Sequence, residues 1–482
     1  NGKLSLRGID TSGMPARATQ DWLRELSQFE TVRLRQCDLK LEDARLSKPV
    51  PDFILTDAEI EFRDGKGSAQ AELDLPDSIG SSVIFSAQIA GDFQNPDTWN
   101  GRWSTQLKNL RSLPWLNASL ADKGVVYFGG TGLNLEGTLE QGKFGEVSVA
   151  LEADRMEGHS GEHFTTLRDI RFEASLVPQT RGWILDVTEL ALSGVNGPWP
   201  ESRARVQLWH QDDGTTQVYA QTDYFLLADL APWFPLLPGE AAADAGARLG
   251  SLSGAVSGLT LDWRSSAEGS HDKPEFELNA EIEDMALVGN ERTPGFSSVS
   301  GTFTAHQNGG SIALEDSPFT LSYPRIFRAP MKFDAVSGEL TWSQDQDGWE
   351  LSMPSFAWQL DGSAGKGRMD LKIPAQKSSS PQIDLDANFT AKDVRPFKKY
   401  IPVLWTDSLR KWLEQAIVAG RADAGHLKIS GALTDFPFIN KPGTFELDFD
   451  ATQGELAFAP DWPAVKKLDA HLAFRGNSLT IT

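Results

Sequence analysis

The 482-residue chain has one cysteine, Cys37, so no disulfide can form within it, and cysteine usage leaves its redox compartment open. Cys37 ends the strand-like run Val32-Arg33-Leu34-Arg35-Gln36-Cys37 and is expected to be buried and inert. Basic residues are scarce beside acidic ones: Lys plus Arg number 45 against 67 Asp plus Glu, a formal charge of -22. That balance argues against nucleic acid or an anionic membrane surface as the main partner, because a polyanion groove needs clustered cations. The densest basic group, Arg395, Lys398 and Lys399, reads as a solvated loop. No run of 18 apolar residues occurs in residues 1–482, and because the sequence opens on Asn1 and not Met, the lack of a signal-peptide pattern there is uninformative.

The usual marks of catalysis are missing too. There is no P-loop, CxxC pair or GxSxG elbow, and no cofactor is implied. His159-Ser160-Gly161-Glu162-His163 has the order of an inverted zinc-peptidase motif. That chemistry requires both histidines on one helix face, and Gly158, Ser160 and Gly161 disfavour a helix, so a loop between strands is expected. Asp345-Gln346-Asp347-Gly348 lacks the later carboxylates of a calcium loop and reads as a turn. Gly362 to Gly367 is glycine-rich without Walker spacing and reads as a flexible loop. Neither an enzyme nor a metal protein is indicated.

What is present is alternation. Short strands with turn signals every eight to twelve residues or so suggest a mainly β protein. Glu275, Glu277, Glu281 and Glu283 lie on one parity, and Phe276, Leu278, Ala280 and Ile282 on the other. A strand, a short turn and a second strand recur, as in the stretches beginning at Leu167, Val299, Val336 and Leu468. A larger unit recurs as well: a Leu- and Pro-rich segment, a spacer, then a Gly-flanked strand. Its copies start at Leu110, Ala228 and Lys392. The expected fold is an elongated antiparallel sheet of about thirty strands, at ~4.8 Å per strand, with a few amphipathic helices. One such helix spans Pro15 to Phe29; another carries Leu409, Trp412, Leu413, Ala416 and Ile417 on one stripe, capped at Thr406 to Ser408 and stopped by Gly420.

A sheet with one acidic face must cover its apolar face with a second sheet, by closing, or by curling into a groove that takes an apolar ligand. The apolar parity of the clearest strands is the candidate lining: Val147, Val149 and Leu151; Phe276, Leu278 and Ile282; Leu385 and Phe389; Leu427, Ile429 and Leu433; Phe445, Leu447 and Phe449. A dry core between two sheets would use the same side chains. The helix at 409–417 either seals one end of that face or lies across it as a gate. Fifteen tryptophans raise the alternative of a carbohydrate-binding β-sandwich or an envelope structural or adhesion protein. Trp115, Trp199, Trp233 and Trp462 sit beside Pro or on the apolar parity, which favours packing. A membrane-spanning barrel fits poorly with the frequent Pro and uneven strand lengths.

One region carries a more specific signal. YIPVLW at 400–405, WLEQAIVAG at 412–420, GHLKISGALTDFPF at 425–438, GTFELDF at 443–449 and PDWPAVKKLDAHLAF at 460–474 together resemble the YhdP family. That family belongs to the AsmA-like group of Gram-negative envelope proteins, relatives of TamB. The resemblance covers the last fifth of the chain closely and the rest through its strand grammar. It implies a non-catalytic conduit, a β-taco groove that carries phospholipid through the periplasm between inner and outer membrane. It also implies a transmembrane helix anchored in the inner membrane and lying before Asn1, and envelope proteins as partners at either end. The start at Asn1 and the stop within Leu479-Thr480-Ile481-Thr482 fit a piece of a longer chain. On this reading segments 1–160 and 161–390 are stretches of one groove, and 391–482 is the helix-bearing stretch.

Overall fold

The computed structural model describes residues 28–39, 53–93, 95–113, 117, 124–160, 163–236, 249–265, 274–290, 294–376, 379–403, 405–459, 462–476 and 478–482. The helix expected at Pro15 to Phe29 lies almost wholly outside them, as do Trp115 and Gly161-Glu162. Contacts divide the chain into two compact units, 1–250 with 262–272, and 251–261 with 273–482.

The first unit is an antiparallel meander of β1 (Thr31–Leu39), β2 (Phe53–Arg63), β3 (Lys66–Asp74), β4 (Ser82–Ala90), β5 (Asn100–Ser112), β6 (Val125–Glu140), β7 (Lys143–Ser160), β8 (His163–Gln179), β9 (Gly182–Gly194), β10 (Gly197–Pro198), β11 (Ser202–His210) and β12 (Thr216–Leu226). From β1 to β9 each strand pairs with the next, β9 then pairs with both β10 and β11, and β11 pairs with β12. After β12 come a short helix, α1 (Leu227–Leu230), and a 3-10 turn, Ala231–Leu236. The two rims of this unit differ. Asp64-Gly65 and Gln141-Gly142 close one rim with positive φ at both turn residues, the tight hairpin that matches strand twist. The longer excursions 113–124 and 227–251 leave from the other rim.

The second unit holds most of β13 (Leu252–Arg264) and then β14 (Glu275–Leu287), β15 (Gly295–His306), β16 (Gly309–Ser322), β17 (Met331–Gln344), β18 (Gly348–Leu360), β19 (Ser363–Pro374), β20 (Gln382–Ala391), α2 (Asp407–Ala416), β21 (Ile417–Ala432), β22 (Gly443–Leu456), β23 (Val465–Arg475) and β24 (Ser478–Ile481). From β14 on, every strand pairs antiparallel with its successor. Register shifts fall near one level of β14, β15 and β16, where Asp284, Ser298 and Asp316 have positive φ. Ser300, Ser317 and Ser337 hydroxyls accept the freed amides of Asp284, Ser300 and Asp316. These bulges add bend and twist, and the serines take up these three amides.

The expectation of a mainly β, antiparallel, unclosed fold therefore holds, with 24 strands among the described residues. Among those residues β1 pairs only with β2, and β24 only with β23. Strands are longer than expected: β7 runs 18 residues, about 60 Å at the usual rise. The His159–His163 motif falls, as expected, between two strands and not on a helix: β7 ends at Ser160, β8 starts at His163, and these two residues pair. Several local expectations are corrected. Ser363–Gly367 is the start of β19, because Gly365 and Gly367 each pair across both neighbours; only Asp361-Gly362 turns. Cys37 is half-buried. Trp462 is 69% exposed, while Trp199 is 5% exposed and packs as expected.

Candidate functional site

The apolar parity lines up across strands. Direct cross-strand partners share a face, and the registers join Leu73, Val83, Leu107, Leu133, Leu151, Phe172 and Leu190 into one row across β3 to β9. A parallel row includes Phe85, Leu135, Val149, Ala174 and Val187, and a third includes Trp103, Val147, Leu176 and Leu185. In the second unit one row runs Phe356, Gly367, Ala387, Leu427, Leu447, Phe474 and Leu479 across β18 to β24. Another joins Met353, Met369, Leu385, Ile429 and Phe445.

These rows are only partly covered. Leu133, Leu151, Phe172, Leu427 and Leu447 are half-buried, whereas Ala174, Val187, Met353 and Ala387 on the same rows are buried. The main buried cluster of the first unit sits instead at the rim of the excursions: Ala153, Leu167, Ile170, Leu192 and Trp199, with Leu226, Leu230 and Trp233 packed on it. There Asp229, 2% exposed, holds the excursion in place. Its carboxylate accepts from the Val195 amide at 2.9 Å and the Trp199 indole at 2.8 Å.

Glycines on the rows let neighbouring rings lie flat. Trp103 pairs with Gly137, Trp342 with Gly310, Trp358 with Gly365, and Phe389 with Gly425. A Cβ on Gly425 would come within 2.5 Å of the Phe389 ring, and one on Gly365 within 2.5 Å of Trp358.

The candidate lining residues fall as follows. Val147, Val149, Leu151, Phe276, Leu278, Leu385, Phe389, Leu427, Ile429, Leu447 and Phe449 are half-buried on strands. Ile282 and Phe445 are both 7% exposed, hence covered. Leu433 is not on a strand: β21 ends at Ala432, and Leu433 opens a 3-10 turn toward Phe436-Pro437, where proline removes a donor from any further ladder. The helix is also shorter than its stripe. α2 ends at Ala416, and Ile417 opens β21 by pairing with Leu456, a fit for its β-branched side chain. Leu413 and Ala416 face inward, at 5% and 0% exposure. The Thr406 hydroxyl accepts from the Leu409 amide, the expected cap.

What covers Phe445 was not legible beforehand. β20 and β21 meet at the rim, where Ala391 pairs with Ala422 and Ala422 with Ala451. Phe445 lies six residues from Ala451 along β22, roughly 20 Å from that rim. Yet Trp405, in the connection between β20 and β21, brings its ring centroid within 6.1 Å of Phe445. The connection therefore runs inward over the apolar face. α2, about 15 Å long, returns to the rim, where the Ala416 carbonyl accepts from the Ala457 amide. From the opposite rim, Phe436 reaches the same ring at 5.4 Å. Trp405 belongs to the YIPVLW run, but nothing in its spacing marked it as a cover.

Polar contacts tether this insertion. The Tyr400 hydroxyl donates to Asp361 at 2.6 Å, with Lys399 at 3.0 Å from the same carboxylate. Burial pushes the Asp361 carboxyl up, but the Tyr400 and Lys399 hydrogen bonds outweigh it and hold the group below the usual range. Burial and the bond to Asp361 push the Tyr400 hydroxyl up. Arg328 pairs with Glu414, and the Trp412 indole donates to the Phe458 carbonyl at 3.0 Å. The basic trio is thus tied down rather than free: Arg395 pairs with Asp393, and Lys398 donates to the Glu414 carbonyl.

Among the described residues no group of His, Cys, Asp or Glu could hold a metal ion, and no helix is long and apolar enough to cross a membrane. Asp345 accepts from the Asp347 and Gly348 amides, the turn chemistry expected of that stretch.

No solved structure matches the chain. A curated relative, the intermembrane phospholipid transporter YhdP of Escherichia coli K12, is 25% identical over 397 residues, covering 79% of this chain and 30% of the relative. The chain thus spans about a third of that protein's length. The YhdP protein family model matches residues 1–482, and the chain belongs to that family.

Proposed function

We propose that the chain is a stretch of a non-catalytic phospholipid conduit between membranes, in which acyl chains lie on the apolar rows and head groups stay toward solvent. The observation that carries this reading is that large side chains on continuous apolar rows stay half-buried. Leu133 and Leu151 in the first unit, and Leu427 and Leu447 in the second, remain partly open although they stand in register with apolar neighbours on both sides. A protein gains about 25 cal/mol per Å² by covering such a face, and a lipid tail recovers that stabilisation here. Moving a phospholipid through water would expose many methylenes, each about 0.8 kcal/mol; an apolar floor removes most of that barrier.

Val147, Val149, Leu151, Phe276, Leu278, Leu385, Phe389, Leu427, Ile429, Leu447 and Phe449 are assigned to this floor. Ile282 and Phe445 belong to its covered parts, and α2 lies over it. Its envelope setting, an inner-membrane anchor outside residues 1–482 and partners at either end belong to the same proposal. The test is photocrosslinking to phospholipid from Leu133 and Leu447, with Glu446 of the acidic parity as the control. Crosslinks at both leucines and none at Glu446 support the conduit. Absence at all three sinks it and favours a dry packing role for the same face.

A further inference from the structure

Resting on that reading, we propose that Trp405 is a gate residue of the conduit: its ring closes the apolar path at Phe445, and its indole N–H is reserved for an oxygen of a passing lipid.

Two independent observations converge on this residue. The first is steric. Trp405 and Phe436 reach Phe445 from opposite rims, at 6.1 and 5.4 Å between ring centroids. The row Met353, Met369, Leu385, Ile429 is therefore closed at its Phe445 end, while the adjoining row through Leu427 and Leu447 stays half-open. A tail following the first row must displace one of the two rings. The second is chemical. Among the described residues the Trp405 Nε1, like those of Trp103 and Trp233, is shut away from solvent with no hydrogen-bond acceptor; of the three, Trp405 is the one whose ring meets Phe445. By contrast, Trp412 and Trp199 both satisfy their indoles, on Phe458 and Asp229. A buried indole usually finds a partner, and leaving one unmet forfeits its hydration. The closed arrangement is thus one that an oxygen acceptor improves. Because the ring belongs to an inserted connection and not to the sheet ladder, it can swing without breaking strand pairing.

The ligand chemistry follows. It must present an apolar body to Phe445 and Phe436 and one oxygen acceptor to the indole. In a phospholipid that oxygen is an ester carbonyl or a phosphate oxygen.

The experiment compares the purified parent protein with Trp405→Phe, which keeps a ring against Phe445 and removes the N–H, and with Trp405→Ala, which removes the ring. Probes are a diester phospholipid, its diether analogue, which lacks carbonyls, and diacylglycerol, which lacks phosphate. Trp405→Phe should bind the diester phospholipid about fivefold more weakly, the loss of one neutral hydrogen bond. The analogue whose binding is unaffected by Trp405→Phe identifies the oxygen that the indole does not use. Trp405→Ala should raise the rate of lipid crosslinking at Phe445-adjacent Ile429. Unchanged affinity of Trp405→Phe for all three probes, with crosslinks at Leu133 intact, overturns the gate and leaves the conduit standing. No lipid crosslink at Leu133 or Leu447 in the parent removes the conduit, and the gate with it.

Discussion

Trp405 and Phe445 meet edge to face, 6.1 Å between centroids and 65° between planes, although one sits in a helical connection and the other on the strand beyond. The contact places the connection between β20 and β21 over the apolar parity. Leu427, Ile429, Phe445 and Leu447 of the apolar parity and the Trp405 ring that meets Phe445 thus come from one short stretch of chain.

A charge on the open row should stop binding without unfolding the sheet. Leu447 is half-buried and pairs with Leu427 and Phe474. Leu447→Asp is expected to cost at most about 1–2 kcal/mol of stability, less than a fully buried leucine, and to abolish lipid crosslinking at neighbouring Leu427. Glu446→Gln, on the acidic face, should leave crosslinking unchanged. A Leu447→Asp protein that fails to fold would mark the position as sealed core.

Asp229 offers a test of the other excursion. Removing its carboxylate takes the acceptor from the Val195 amide and from the buried Trp199 indole. Asp229→Ala should destabilise the first unit by about 1–3 kcal/mol, chiefly through the buried Trp199 indole left unmet. Denaturant unfolding gives the size, and faster amide exchange at Val195 gives the place. Equal stability of the two proteins would show that the excursion is held by apolar packing alone.

The tether at Asp361 sets a pH dependence. Its carboxyl is held below the ordinary value, so it stabilises the fold above about pH 3.9, and that contribution fades as pH falls through the lower, folded value. Tyr400→Phe removes the hydroxyl bonded to Asp361. The parent should therefore melt higher than Tyr400→Phe at neutral pH, and the gap should close below about pH 4. A gap that stays constant down to pH 3 would mean the hydroxyl contributes through packing and not through the carboxylate.

The alternation of Leu427, Ile429, Phe445, Leu447 and Phe449 was legible because strand parity is written in residues two apart, and the same holds for Val147, Val149 and Leu151. Hairpin turns such as Asp345 to Gly348 were legible from their side-chain acceptors. What was not legible is what lies far away in sequence. Leu133 and Leu135 alternate as plainly as Val147 and Val149, but only register shows that they continue the same rows. The stripe on α2 ran one residue too far because Ile417 suits either a helix face or a strand, and pairing with Leu456 decided it. Trp405 gave no periodic signal at all; its role comes from the path of the connection over the face.

The glycine–aromatic pairs supply the last test. Gly425 stands directly across from Phe389, and a methyl there would lie 2.5 Å from the ring, with only ring atoms among its nearest neighbours. Gly425→Ala should therefore force the Phe389 ring up from the floor, at an overpacking cost of about 1–3 kcal/mol. Phe389→Leu alone should cost about 1 kcal/mol as a change of shape in a half-buried site. Together the two substitutions should cost less than their sum, since the smaller side chain makes room for the methyl. Denaturant unfolding of the four proteins measures the coupling. Strict additivity would mean that the ring does not rest on Gly425, and that the glycine is there for its backbone.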